Sequence, residues 1–315
     1  MTICRIISKA VLPISLLLVI GSVLPAQETT KIPGIEPVGK VTKVQGDFKF
    51  TEGPAWDRKG NLYFTDIPAN RIYKLDSAGK VSVFQDPSGH CNGLMFNAAG
   101  TLFACQMDGR LLAIDTATKK ATILADKYEG KRLNAPNDLV IDRAGGIYFT
   151  DPRFRAPQPW PQGKEAVYYR TADGKLTRLV DDLAAPNGVI LSPDEKTLYV
   201  IPSVQKEMWA YPIQSPGKLG NGRELCSLVQ PEGATNSGGD GLTIDTKGNL
   251  YITSRLGIQV FSPEGKLLGI LKFPEQPANV TFGGPDMKIL YVTARTSLYS
   301  VQMEAAGHVF PGAKP

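Results

Sequence analysis

Six times along this 315-residue chain, a residue with a side-chain oxygen opens a stretch of the same design. Glu52 begins EGPAWDRKGNLYFTD, Asn92 begins NGLMFNAAGTLFACQ, Asn137 begins NDLVIDRAGGIYFTD and Asp240 begins DGLTIDTKGNLYITS. In these four, an aromatic residue (Tyr63, Phe103, Tyr148, Tyr251) follows at one constant distance. In NGVILSPDEKTLYVI, from Asn187, and NVTFGGPDMKILYVT, from Asn279, the aromatic residue comes one place later, at Tyr199 and Tyr291. The anchors thus recur with a period of roughly 40–50 residues, which is the mark of propellers and solenoids. A repeat that keeps its phase puts equivalent residues at equivalent places in space.

Each unit continues in the same way. NRIYKLDSAGKVSVFQD follows the first, EAVYYRTADGKLTRLVDD the third and GIQVFSPEGKLLGILKF the fifth. These tails alternate apolar and polar residues across Gly-containing turns, which is hairpin chemistry. No sustained helical period with caps is found beyond the N-terminal apolar stretch. Each unit therefore supplies about four strands, and the fold expected is all-β, a six-bladed β-propeller with four-stranded blades. The last unit has only about three strands. The segment Val38–Phe50 reads as the missing one, completing the sixth blade and closing the ring. A pair of β-sandwiches, the other all-β option, would not explain the constant phase.

Composition is that of an ordinary globular protein, with 42% hydrophobic and 21% charged residues. The net charge of +5 is modest and the basic residues form no runs, which argues against a nucleic-acid partner. Arg5 and Lys9 lead into an apolar stretch from Ala10 to Leu24, short for a membrane span of about 20 residues. Leu24-Pro25-Ala26 before Gln27 suits a cleavage site. The organisation expected is a signal peptide over 1–26, a flexible segment over 27–37, the propeller over 38–303 and a tail over 304–315. The mature chain would be exported, to the periplasm or beyond, with no membrane attachment; an uncleaved anchor is the alternative. Cys91, Cys105 and Cys226 would remain, and an odd number argues against a disulfide framework. Cys91 and Cys105 are placed where they could be bridged; buried free thiols are the expectation.

The innermost strand of a propeller blade runs along the central channel, so the six anchors should ring one mouth. Carboxylates and amide carbonyls make a hard-oxygen site, suited to Ca²⁺, Mg²⁺ or Mn²⁺. Turn chemistry explains any single Asn or Asp before a strand. It does not explain six in phase, nor Glu52. Only two histidines are present, His90 and His308, neither at metal-ligand spacing. GxSxG elbows and Gly-rich phosphate loops are absent.

EGPAWD, APND, APNGVILSPDEKTLYV and GGDGLTIDTKGNLYIT resemble the signature segments of the SMP-30/gluconolactonase/luciferin-regenerating-enzyme family, and the resemblance covers roughly residues 46–302. It is nearest to the bacterial gluconolactonase-like branch. It implies a six-bladed propeller with one divalent metal ion in the channel, most often Ca²⁺, with Mg²⁺, Mn²⁺ or Zn²⁺ as alternatives. It also implies hydrolysis of a small-molecule lactone, or, in related members, of organophosphates. The metal ligands it implies are Glu52, Asn187 and Asp240, with Asn137 touching metal or substrate. Asp240 is the candidate general base, and Asp138 and Asp151 are second candidates. Asp151 stands to Asn137 as Asp66 stands to Glu52, and a turn-capping role is the alternative for it. Substrate contacts are expected from Asn137, Asn92, Arg132, His90, Asp138 and Asp151. Pro152–Lys164 reads as a binding loop carrying Arg153, Phe154 and Trp160. An aryl-esterase or phosphotriesterase on the same site, or a non-enzymatic ligand-binding propeller, would share these features. The polarity of the mouth separates the lactone hydrolase from the aryl-ester or phosphotriester hydrolase.

Overall fold

A computed structural model of the protein describes Met1 and residues 32–310. Apart from Met1, the expected signal peptide lies outside the described residues. Among those described, the regular structure is all strand. Besides a short hairpin of Lys127–Tyr128 and Lys131–Arg132, six antiparallel sheets follow one another along the chain, four of them with their strands in simple succession. Blade one consists of Thr51–Trp56, Leu62–Asp66, Arg71–Leu75 and Val81–Gln85. The innermost strands of blades two to six are Cys91–Phe96, Leu139–Ile141, Pro186–Leu191, Leu242–Ile244 and Pro277–Gly283. Each innermost strand touches the next, and that of blade six touches that of blade one, so the ring is closed. Blade four differs in detail: its long third strand, Glu207–Ser215, pairs with both Lys218–Leu219 and Arg223–Ser227.

The repeated aromatic residue wedges the blades together. Tyr63 meets Phe96 edge-on at 5.1 Å, Tyr251 meets Phe282 at 5.1 Å, and Tyr291 stacks on Trp56 at 5.9 Å. Each partner lies toward the end of the neighbouring blade's inner strand. Such pairs add about 0.5–1.5 kcal/mol beyond the area they bury. The phase of the repeat is thus the phase of the core. The three cysteines are buried and free, and burial raises the Cys91 thiol to about 12.

Blade six is completed as its sequence suggests. Thr42–Gln45 pairs with Ser297–Gln302 as its outermost strand. Much of this closure converges on one carboxylate. Glu275 accepts hydrogen bonds from the Thr296 amide and hydroxyl (both 2.9 Å), the Tyr299 hydroxyl (2.8 Å) and the Ser297 hydroxyl, and it pairs with Lys43 at 3.3 Å. Desolvation pushes this carboxyl up, but the hydrogen bonds from Ser297, Thr296 and Tyr299 together outweigh it and hold it at about 2. A depressed carboxylate stabilises the fold above its unfolded value, here 4.5, and the contribution is lost as pH falls toward 2. Glu275→Gln is therefore expected to cost on the order of 3 kcal/mol at pH 7 and little near pH 2. Urea unfolding at both pH values measures this; equal costs would show that the latch is not ionic.

Candidate functional site

Four of the six inner strands carry their anchors at bulges. In blades one, two, four and six the register between first and second strands shifts at the anchor, between Glu52 and Ala55, Cys91 and Leu94, Pro186 and Val189, and Pro277 and Asn279. In blades three and five regular pairing begins only after the anchor, at Leu139 and Leu242. A bulge re-aims a side chain that the pleat would otherwise send into the sheet. The residue after the anchor fixes how close two blades can come. Gly93 donates its amide to Asn137 O (2.7 Å), Gly188 to Asp240 O (3.1 Å) and Gly241 to Ala278 O (2.8 Å). A buried threonine just beyond the repeated aromatic residue adds a second tie. Thr65 donates to Asn92 O (3.1 Å), Thr150 to Asn187 O (2.7 Å) and Thr253 to Ala278 O (2.8 Å). Sequence reasoning missed these threonines, although the repeated YFTD and YITS display them.

Glu52, Asn92, Asn137, Asn187 and Asn279 are buried, and Asp240 is half-buried at the mouth. Asn187 donates its amide to Asp240 Oδ1 (2.5 Å) and to Ser203 Oγ (2.9 Å). Its carbonyl oxygen is left without a donor among the described residues. Glu52 accepts the amide of Gly53 (2.9 Å), and Asp138 that of Leu139 (2.9 Å). Burial pushes the Glu52 carboxyl up to about 7, helped by the charge of Asp138. Burial likewise raises Asp138 to about 7. Asp240 is held well above the usual carboxylate range by desolvation first and the charge of Glu52 second. None of the three has a basic partner within 4.0 Å among the described residues.

Three acids raised by burial, Glu52 and Asp240 also by neighbouring charge, beside the undonated amide oxygen of Asn187, fit a hard divalent cation. Among the described residues no three of His, Cys, Asp and Glu are grouped closely enough to hold an ion by themselves. For a cation to be held here, amide oxygens of the ring would have to share the coordination. The donor set excludes a soft metal.

The remaining candidates divide. His90 stands at the rim with a left-handed backbone (φ 56°), and its Nδ1 lies 3.1 Å from Asp108 Oδ1. Arg132 turns its guanidinium to the carbonyls of Leu133 (2.8 Å) and Asn134 (2.5 Å). Asp151 gives its two oxygens to the amides of Asn134 (2.8 Å) and Ala135 (2.7 Å), as Asp66 does to Lys49 (2.9 Å) and Phe50 (3.2 Å). In this geometry Arg132 and Asp151 hold the loop that delivers Asn137. In the Pro152–Lys164 loop, Arg153 pairs with Glu165 and lies 5.5 Å from the Trp160 ring, and Phe154 is exposed. Ala156 of this loop packs with Phe50, Ile67, Met107 and Ala135, giving the mouth one apolar side. On the other side a pocket of about 220 Å³ opens over Asp240. The far end of the channel is covered by the tail, where the His308 amide donates to Ile244 O (2.9 Å) and Ala306 O accepts from the Thr246 amide (2.9 Å).

Residues 50–296 match the model of the SMP-30/Gluconolactonase/LRE-like region. A gluconolactonase of Zymomonas mobilis is 31% identical over 290 residues, 84% of this chain and 81% of the relative. The diisopropyl-fluorophosphatase of Loligo vulgaris is 28% identical over 292 residues, 84% of this chain and 90% of the relative. The solved structure of a Xanthomonas campestris gluconolactonase superposes with a TM-score of 0.77 at 32% identity, covering 84% of this chain and 89% of that one.

Proposed function

The chain belongs to the SMP-30/gluconolactonase/LRE-like family, and on that premise we propose that it is an exported, metal-dependent hydrolase that opens lactone rings. The observation that carries the reading is the cluster of Glu52, Asp138 and Asp240, three acids without a basic partner, set among amide oxygens at the mouth of a closed ring. Glu52, Asn187 and Asp240, with Asn137, would hold the divalent cation, Ca²⁺ before Mg²⁺, Mn²⁺ or Zn²⁺. When bound, the cation supplies Lewis acidity toward the lactone carbonyl and charge for the developing oxyanion.

The chain's own groups do the rest. Asn187 donates to Oδ1 of Asp240, and Asp240 lines the pocket. From there Asp240 takes a proton from a water, whose oxygen attacks the carbonyl carbon. The ring C–O bond breaks, and the proton passes to the departing ring oxygen, giving a hydroxy acid. Asn92 and Asp138 orient the substrate from within the ring, with His90 at the rim. Export rests on the Arg5–Lys9 segment, the apolar run after it and the site before Gln27.

One preparation tests the proposal. Protein recovered from the exported fraction is expected to begin at Gln27 by mass spectrometry. Stripped with chelator, it should lose hydrolysis of glucono-δ-lactone and regain it with Ca²⁺. Activity that survives full removal of metal would sink the mechanism. The apolar wall around Phe50 and Ile67, together with the likeness to the Loligo enzyme, supports a second reading as an aryl-ester or phosphotriester hydrolase. Turnover of such substrates without any lactone turnover would select it.

A further inference from the structure

One position of the repeat forms the wall of the mouth. It is the residue that immediately follows each blade's second strand. Read round the ring, it is Ile67, Met107, Pro152, Ser203, Arg255 and Arg295. Blades one to three present apolar groups and blades four to six present polar ones, ending in two arginines. Ser203, Arg255 and Arg295 line the pocket over Asp240. We propose that these arginines bind a carboxylate on the substrate, so that the enzyme acts on lactones bearing a free acid group. The inference rests on the lactonase reading and specifies its substrate class.

Neither arginine has an acidic partner within 4.0 Å among the described residues. Each is oriented through one nitrogen only: Arg255 Nε donates to Asn236 Oδ1 (3.1 Å), and Arg295 Nη2 donates to Gln276 Oε1 (2.7 Å). The Arg295 guanidinium also lies 5.7 Å from the Phe50 ring, and both arginines are exposed where they line the pocket. Their backbones are pinned. The Arg255 amide donates to Ser237 O (3.0 Å), and Arg295 O accepts from the Thr51 amide (2.8 Å) at a left-handed φ of 45°. The Arg255 stem fits against Gly238, where a Cβ would come within 2.6 Å of Arg255 Cγ. A guanidinium presents a planar fork that matches a carboxylate. Two cationic groups beside a cation site repel it, and an anionic group between them removes the conflict. A neutral lactone would leave that repulsion standing while displacing water from both arginines.

The test is a matched pair of substrates on the metal-loaded full protein: glucaro-1,4-lactone, which bears a carboxylate, and neutral glucono-1,4-lactone. The parent is expected to favour the acid lactone in kcat/KM by at least about ten-fold, through KM, with the preference shrinking as salt rises. Arg255→Gln and Arg295→Gln should each cut that ratio about ten-fold. Arg255→Lys should restore part of it. Circular dichroism and Tm check that the variants fold. Equal kcat/KM for the two lactones in the parent, or an unchanged ratio in both variants, overturns the proposal. If no lactone is turned over, the failure is that of the lactonase reading. Calorimetry with glucarate against glucitol then decides: arginine-dependent binding of glucarate upholds the anionic site, and no binding overturns it.

Discussion

Glu52→Gln and Asp240→Asn are each expected to lower lactone hydrolysis by about two to three orders of magnitude, while making the metal-free protein more stable. The two effects have one cause. Glu52 is buried within the field of Asp138, and the half-buried Asp240 lies within that of Glu52, with no basic residue within 4.0 Å of either among the described residues; the charge of Arg295 offsets only part of this at Asp240. Without a cation, that arrangement costs stability, because burial disfavours charge and like charges repel. An isosteric amide removes one charge and keeps the shape. The metal-free gain should be on the order of 1–3 kcal/mol. The parent should gain stability on adding Ca²⁺ by mass action, and the variants should gain far less. This pairing separates a ligand from a structural residue, since a variant that merely misfolds loses activity and stability together. Thermal melts with chelator and with Ca²⁺, beside the hydrolysis assay, measure all of it. Variants that lose stability in the metal-free state would show that the carboxylates are cemented into the fold by contacts other than a cation.

What the sequence made legible follows from phase. Tyr63, Tyr251 and Tyr291 recur because each fills an equivalent gap between blades, so the blade count could be read before any contact was known. The same logic placed Thr42–Gln45 in blade six, because the last unit lacked a strand. Phase alone could not separate residues that recur for different reasons. Asp66 and Asp151 share one phase in two of the six units, yet both cap loops by accepting backbone amides. The difference is place: an anchor sits at a bulge of an inner strand or just before its pairing begins, whereas these two close a second strand. Arg132 shows a related effect. Its spacing from Asn137 puts it near the mouth, and there its Nη1 donates to the local carbonyls of Leu133 and Asn134. The arginines over Asp240 were hidden by the opposite effect. Their position varies from Ile67 to Arg295 round the ring, so it leaves no repeat to notice.

The second large effect is expected at Gly53, where alanine should cost more than about 4 kcal/mol and should open the ring between blades one and two. A Cβ there would lie 1.9 Å from the carbonyl oxygen of Asn92, and the backbone is left-handed at φ 45°. The obstacle is the main chain of the next inner strand, which cannot rotate away as a side chain could. Equivalent glycines meet the same obstacle: at Gly188 a Cβ would lie 2.5 Å from Asp240 O, and at Gly93 it would lie 2.7 Å from Asn137 O. Blades three and six carry Asp138 and Val280 at this position instead, so close approach is not demanded at every junction. Gly79 is the control. It is also left-handed, at φ 82°, but a Cβ there would meet nothing within 4 Å. Gly79→Ala should cost only the backbone strain, about 1 kcal/mol. Urea unfolding of both variants separates strain from closure. If Gly53→Ala costs no more than Gly79→Ala, the inner strands can part without penalty. The anchors would then not be held at fixed separations by the glycines, and the rigidity of the oxygen ring would need another source.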